Sequence, residues 1–127
     1  MKKLIFIILL ILINIGCEKK NYKKTEFFVK NNCEFTIEIR ASALVRYSDG
    51  YKEESKVDII RNGELFSMRV LKVSEDFKIN SVFSKFAIYH DDIKSPLDVL
   101  NNNVWTLTSY SETKDEYTLF IENSFFE

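Results

Sequence analysis

The chain has one proline and three glycines in 127 residues. That scarcity excludes collagen-like and Pro/Gly-rich low-complexity architectures. It has one histidine, His90, so any chemistry that needs an imidazole base must run through that residue. It has two cysteines, Cys17 and Cys33, which limits it to one intrachain disulfide. Apolar residues run on without interruption only near the start, from Leu4 to Ile13, with Ile15 as an extension. A helix from Leu4 to Gly16 covers about 20 Å at 1.5 Å per residue, well short of the roughly 30 Å hydrocarbon core of a bilayer. Beyond that run no long segment repeats its apolar residues every 3.6 positions, which argues against a helical bundle.

What the chain does have is aromatic side chains, 11 Phe and 6 Tyr, enough to bury a core of its own. Its length fits one hydrophobic core and one small domain. Charge is unevenly spread. Lys2, Lys3, Lys19, Lys20, Lys23 and Lys24 flank the apolar run, while residues 26–127 carry 12 basic against 18 acidic residues, a net of −6. Nucleic-acid binding rests on clustered Lys and Arg neutralising phosphates, so an acidic body disfavours nucleic acid as a partner.

The first 17 residues, MKKLIFIILLILINIGC, have the layout of an export signal: a positive start, an apolar middle and a small residue at the cut. Cys17 directly follows Gly16, and Ile15-Gly16-Cys17 resembles the bacterial lipobox, with Asn14 where an aliphatic residue is usual. The resemblance implies cleavage between Gly16 and Cys17 and lipid attachment at Cys17, with a diacylglycerol thioether and an acylated amine. The alternatives for this segment are an uncleaved anchor and an ordinary thiol at Cys17. The implied boundaries are a signal peptide at 1–16, a lipidated, lysine-rich tether at 17–25 and a domain at 26–127. EKK after the cysteine lacks the acidic cluster associated with surface export in Bacteroidota lipoproteins, so the expected location is the outer membrane, facing the periplasm. With Cys17 acylated, Cys33 is left as a free thiol, or one that pairs with another chain.

Glu34 to Tyr47 alternates. Phe35, Ile37, Ile39, Ala41, Ala43, Val45 and Tyr47 share one face, and polar residues take the other except at Leu44. A period of two over this length predicts a strand with one buried face. Ser48-Asp49-Gly50 is a turn signal, and Tyr51 to Ile60 resumes as a strand with Val57 and Ile59 in phase, which predicts a hairpin. Asn62-Gly63, the strongest short hairpin signal, leads into Glu64 to Val73. Further strands are expected at Phe27 to Lys30, Val82 to Tyr89, Ile93 to Leu97, Val104 to Tyr110 and Tyr117 to Ile121, with at most one helical turn at Asp98 to Asn103. About eight strands at roughly ten-residue spacing predict an all-β, antiparallel sandwich, Ig-like or jelly-roll-like, with a small β-barrel as the alternative.

The chain also resembles small Bacteroidota-type bacterial lipoproteins built as lipobox, tether and β-domain. The matching pieces are Val29-Lys30-Asn31-Asn32 leading into Phe35-Thr36-Ile37, Asn62-Gly63-Glu64, Phe86 to Asp92 and Tyr117-Thr118-Leu119. This implies location and fold, with no specific activity.

His90-Asp91-Asp92 is the one cluster with ligand chemistry, but neighbours on an extended chain point to alternate sides. It reads as a solvated turn, with no metal and no cofactor expected. A Cys33 and His90 dyad lacks any nucleophile elbow or oxyanion turn around it. The acid pairs Glu53-Glu54 and Asp115-Glu116 read as solvated strand ends. Trp105, Phe125 and Phe126 are the candidate partner contacts, with core packing as the other reading of Trp105. The expected function is a lipid-anchored envelope protein, not an enzyme, with a binding or structural role. It would meet the membrane through Cys17 and possess an envelope-protein partner. The alternative is an immunity or inhibitor lipoprotein that occludes a basic toxin or hydrolase.

Overall fold

The computed structural model describes residues 22–127, so the signal segment, Gly16 and Cys17 lie outside the described residues. Eight strands follow in order: β1 (Tyr22–Asn31), β2 (Ile37–Tyr47), β3 (Gly50–Ile60), β4 (Leu65–Ser74), β5 (Lys85–His90), β6 (Ile93–Lys94), β7 (Thr106–Tyr110) and β8 (Lys114–Ile121). One helical turn, α1 (Ile79–Val82), precedes β5, and 3₁₀ turns cover Asn102–Val104 and Asn123–Phe126. The strands form two four-stranded sheets, β4-β1-β8-β7 and β3-β2-β5-β6. These pack face to face without closing, as the alternation predicts. A barrel is excluded.

Pairing is antiparallel throughout except between β1 and β8, which run parallel from Lys24↔Lys114 to Asn31↔Ile121. The core is built from the inward alternates: Phe27 and Val29 on β1, Ile37 and Ile39 on β2, Ile88 on β5, and Leu119 and Ile121 on β8, all at or below 1% exposure. Aromatic rings fill the centre. Phe27 meets Phe77, Phe83 and Trp105 edge-on at 5.8 to 6.1 Å, a geometry that ring quadrupoles favour.

Several local expectations change: the strand expected at Val82 to Tyr89 begins only at Lys85, after α1, and the one expected at Ile93 to Leu97 covers only Ile93–Lys94. β1 begins at Tyr22, so Tyr22 to Thr25 are strand instead of tether, and Thr25 is fully buried. The β2–β3 hairpin forms with Tyr47↔Gly50 at its end, but its register sets Ile37 opposite Ile60. Adjacent isoleucines face opposite sides of a strand, so Ile60 enters the core while Ile59 and Val57 stand 58% and 59% exposed. Finally, Asn62-Gly63 does not join a hairpin. β3 pairs with β2 and β4 with β1, so this turn is the corner between the layers. Gly63, at φ +78°, donates its N–H to the Asn31 carbonyl at 2.8 Å, which ties the corner to the end of β1.

Candidate functional site

Strand direction gives the sandwich two distinct ends. At one, β1 and β8 start and β4 and β7 finish; at the other lie Asn31, Gly63, Ile121 and the β5–β6 turn. Tyr22, the first described residue, lies at the β1 end, five residues after Cys17.

On the outer face of that end, Lys24 pairs with Lys72 on β4 and with Lys114 on β8, forming a three-lysine row across three strands. Like charges directly opposite one another on a sheet repel. Lys114 is compensated by Glu26 and Glu116, each at 3.2 Å, whose hydrogen bonds outweigh burial and hold its pKa above the ordinary lysine value. Lys24 and Lys72 are exposed.

The inner face of the same end holds a cleft. Leu107 and Tyr110 on β7 are 46% and 68% exposed. With Lys23, Phe77, Asp115 and Tyr117 they line a cleft of about 220 Å³. Within it Lys23 Nζ sits 3.6 Å from Asp115 Oδ1, 3.6 Å above the Tyr110 ring and 3.1 Å from the Ser111 carbonyl, to which it donates. Burial works against the Lys23 charge, but Tyr110 and Asp115 overcome it and raise its pKa. Burial, then the Asp115 charge, raises the pKa of the Tyr117 phenol, which keeps that ring neutral beside the Lys23–Asp115 ion pair. Sequence reasoning placed Lys23 in the tether and Asp115 at a solvated strand end, whereas the Asp115 side chain is only 15% exposed. The signal that locates both is alternation carried outward: Lys23, Thr25 and Phe27 share one face of β1, and Asp115, Tyr117 and Leu119 share one face of β8.

The expected contact residues are distributed differently. Trp105 is 6% exposed, stacks on Phe83 at 5.9 Å and donates its Nε1–H to the Val99 carbonyl at 2.8 Å. It is a core residue and offers no partner surface. Phe125 and Phe126 pack half-buried against the core, Phe126 lying edge-on to Phe35 at 5.5 Å and to His90 at 5.9 Å. The final strand ends at Ile121, and the 3₁₀ turn lets both rings fold over the end of the sandwich.

His90 stacks on Phe35 at 3.6 Å, while Asp91 and Asp92 form the β5–β6 turn at φ 46° and 65°, a left-handed conformation that Asp tolerates. The Asp91 side chain is 86% exposed. Among the described residues no three His, Cys, Asp or Glu side chains are grouped to hold a metal ion. Cys33 is fully buried with Sγ 3.6 Å from the Ile121 carbonyl. Desolvation, then the nearby Glu122, pushes its thiol up to about 11, the opposite of what a nucleophile requires. Glu53 forms an ion pair with Lys85 across 3.4 Å, and Glu54 is solvated on β3. No protein-family model, curated protein or solved structure matches the chain.

Proposed function

We propose that the chain is a lipid-anchored envelope protein that acts by binding, its sandwich held upright on the membrane through Cys17. The observation that carries this reading is the row Lys72, Lys24 and Lys114 on the strand ends nearest the anchor. The link from Cys17 to Tyr22 spans at most about 17 Å when extended. The row therefore stays within reach of headgroups, where a lysine near an anionic surface contributes about 1 kcal/mol. The opposite end then points away from the membrane, and it carries Glu34, Glu64, Asp91, Asp92, Glu122 and Glu127 in turns and termini. This acidic tip favours a basic partner and supports the second reading, an inhibitor that occludes a toxin or hydrolase by complementary charge.

The experiment is fractionation of cells carrying the full chain or its Cys17→Ala variant under radiolabelled palmitate. The wild type is expected to take up label and sediment with membranes, and the variant to lose the label. Equal labelling of the two would remove the anchor from the account.

A further inference from the structure

We infer that the notch between β2 and β4 is a binding site for a small monocarboxylate with a compact apolar body, its carboxylate held by Arg69. The site begins with an irregularity in β4. Phe27 on β1 lies opposite Arg69, but Phe28 lies opposite Ser67, so Met68 is an extra residue. Such bulges re-aim side chains and are frequent beside functional sites. Directly opposite residues share a face of the sheet, so Arg69 follows Phe66 and Met68 inward, beside the core residue Phe27. Val70 is turned out instead and stands 46% exposed. A charge has taken the place of a valine on the inner face.

That charge has no counter-ion. The Arg69 guanidinium donates through Nη1 to the Val82 carbonyl in α1 and through Nη2 to the Leu44 carbonyl on β2 at 3.2 Å. Among the described residues no carboxylate lies within ion-pair distance of it. Burial lowers its pKa, whereas Arg40, hydrogen-bonded to the Glu38 carboxylate, is raised. Charges withdrawn from water are normally paired. The two carbonyls fix the fork in place and leave its remaining N–H groups for a planar acceptor, the geometry in which a guanidinium binds a carboxylate.

The space beside Arg69 fits the rest of such a ligand. Ala41, Ala43 and Val45 on β2, Met68 on β4 and Phe83 after α1 line, with Arg69, a cavity of about 160 Å³. An apolar cavity of about 150 Å³ accommodates benzene. Apolar walls around one convergent charged group are the usual make-up of a small-molecule site. Glu54 and Lys56 also line it, both exposed. Lys56 is engaged with Asp58 at 3.4 Å, so Glu54 stands as a negative charge that repels a second anionic group on the ligand. A single carboxylate is thereby favoured over a phosphate or a dicarboxylate. The inference does not rest on the lipid anchor.

Titration of benzoate into the isotope-labelled full chain in non-ionic detergent, followed by heteronuclear NMR, tests it. Saturable shifts of the Ala41, Ala43 and Phe83 amides are expected. Benzylamine, which carries a cation on the same ring, is expected to bind at least tenfold more weakly. Arg69→Met is expected to weaken benzoate binding at least tenfold, and so is Ala43→Leu, which fills the cavity and keeps the guanidinium. Arg40→Met, at an exposed position of β2, is expected to bind benzoate as the wild type does. The inference would be overturned by the absence of saturable shifts with benzoate or by equal binding of benzylamine. Undiminished binding by either cavity variant that folds, or an equal loss in Arg40→Met, would also overturn it. If Arg69→Met misfolds, Ala43→Leu carries the test.

Discussion

Asn31 on β1 donates from its side-chain amide to the Ile60 carbonyl on β3 at 3.0 Å, joining the end of one sheet to the end of the other. The same Nδ2 donates to the Phe35 carbonyl at 2.9 Å, and Oδ1 accepts the Cys33 N–H at 2.9 Å. Asn31 is fully buried, so every side-chain polar atom that folding takes from water is repaid locally. Replacing it leaves a buried N–H and two carbonyls short of partners.

Asn31→Leu is therefore expected to cost roughly 3 kcal/mol, since each orphaned buried group costs about 1 to 3 kcal/mol. Asn31→Asp is expected to fare little better, because a carboxylate cannot donate to the two carbonyls. Urea midpoints of the two variants against wild type provide the check, and a shift below about 1 kcal/mol in both would show that water replaces the amide.

Cys33 is expected to resist alkylation at pH 8 in the native chain and to react at once in denaturant, because its thiol is buried and its pKa is pushed up to about 11 from 9.0. The folded state keeps a proton that the unfolded state releases, so this contribution to stability is intact below about pH 9 and falls as pH rises through 11. Cys33→Ala is expected to flatten that alkaline limb in a pH series of thermal melts.

Trp105 is the sole tryptophan, so fluorescence reports directly on it. Its 6% exposure gives a blue-shifted emission that iodide barely quenches. Trp105→Ala is expected to destabilise by about 3 to 5 kcal/mol, the usual range for deleting a buried tryptophan. Trp105→Phe is expected to cost less but measurably, through the lost hydrogen bond to Val99. Ready iodide quenching in the native state would contradict this placement.

The two-layer fold was legible in the alternation of β2, in the turn signals and in the even spacing of strands, because period two is a local property of the chain. Strand order was not legible. The parallel β1–β8 pair and the layer-crossing role of Asn62-Gly63 are set by contacts between distant residues that no local pattern encodes. The same holds for β3, where Val57 and Ile59 alternate as well as any buried pair, and only the Ile37↔Ile60 register sends them outward. At the candidate site, the lysines of the first strand were visible as charge. Their alignment with Lys72 and Lys114 needed the pairing of three strands.

Glu26 sits beside that lysine row. The Ser67 hydroxyl donates to its carboxylate at 2.6 Å, and this bond, followed by Lys114, lowers its pKa against the opposing effect of burial. A carboxylate depressed in the folded state contributes stability above its unfolded pKa and loses it as pH falls through the folded value. Glu26→Gln is thus expected to reduce the acid sensitivity of the melting temperature below about pH 4.3, the ordinary glutamate range, with Ser67→Ala giving a partial effect. Identical acid limbs in all three proteins would refute it.

The most direct test of the upright, anchored arrangement is depth-dependent fluorescence quenching on vesicles containing anionic lipid. With Cys33 buried and Cys17 acylated as proposed, a fluorophore can be attached at Glu112→Cys, in the turn after β7, or at Asn62→Cys, at the opposite end. A headgroup-level quencher is expected to quench the Glu112→Cys label several-fold more than the Asn62→Cys label, and Lys24→Glu with Lys72→Glu is expected to narrow the difference. Equal quenching at both ends, or stronger quenching at Asn62→Cys, would contradict the account.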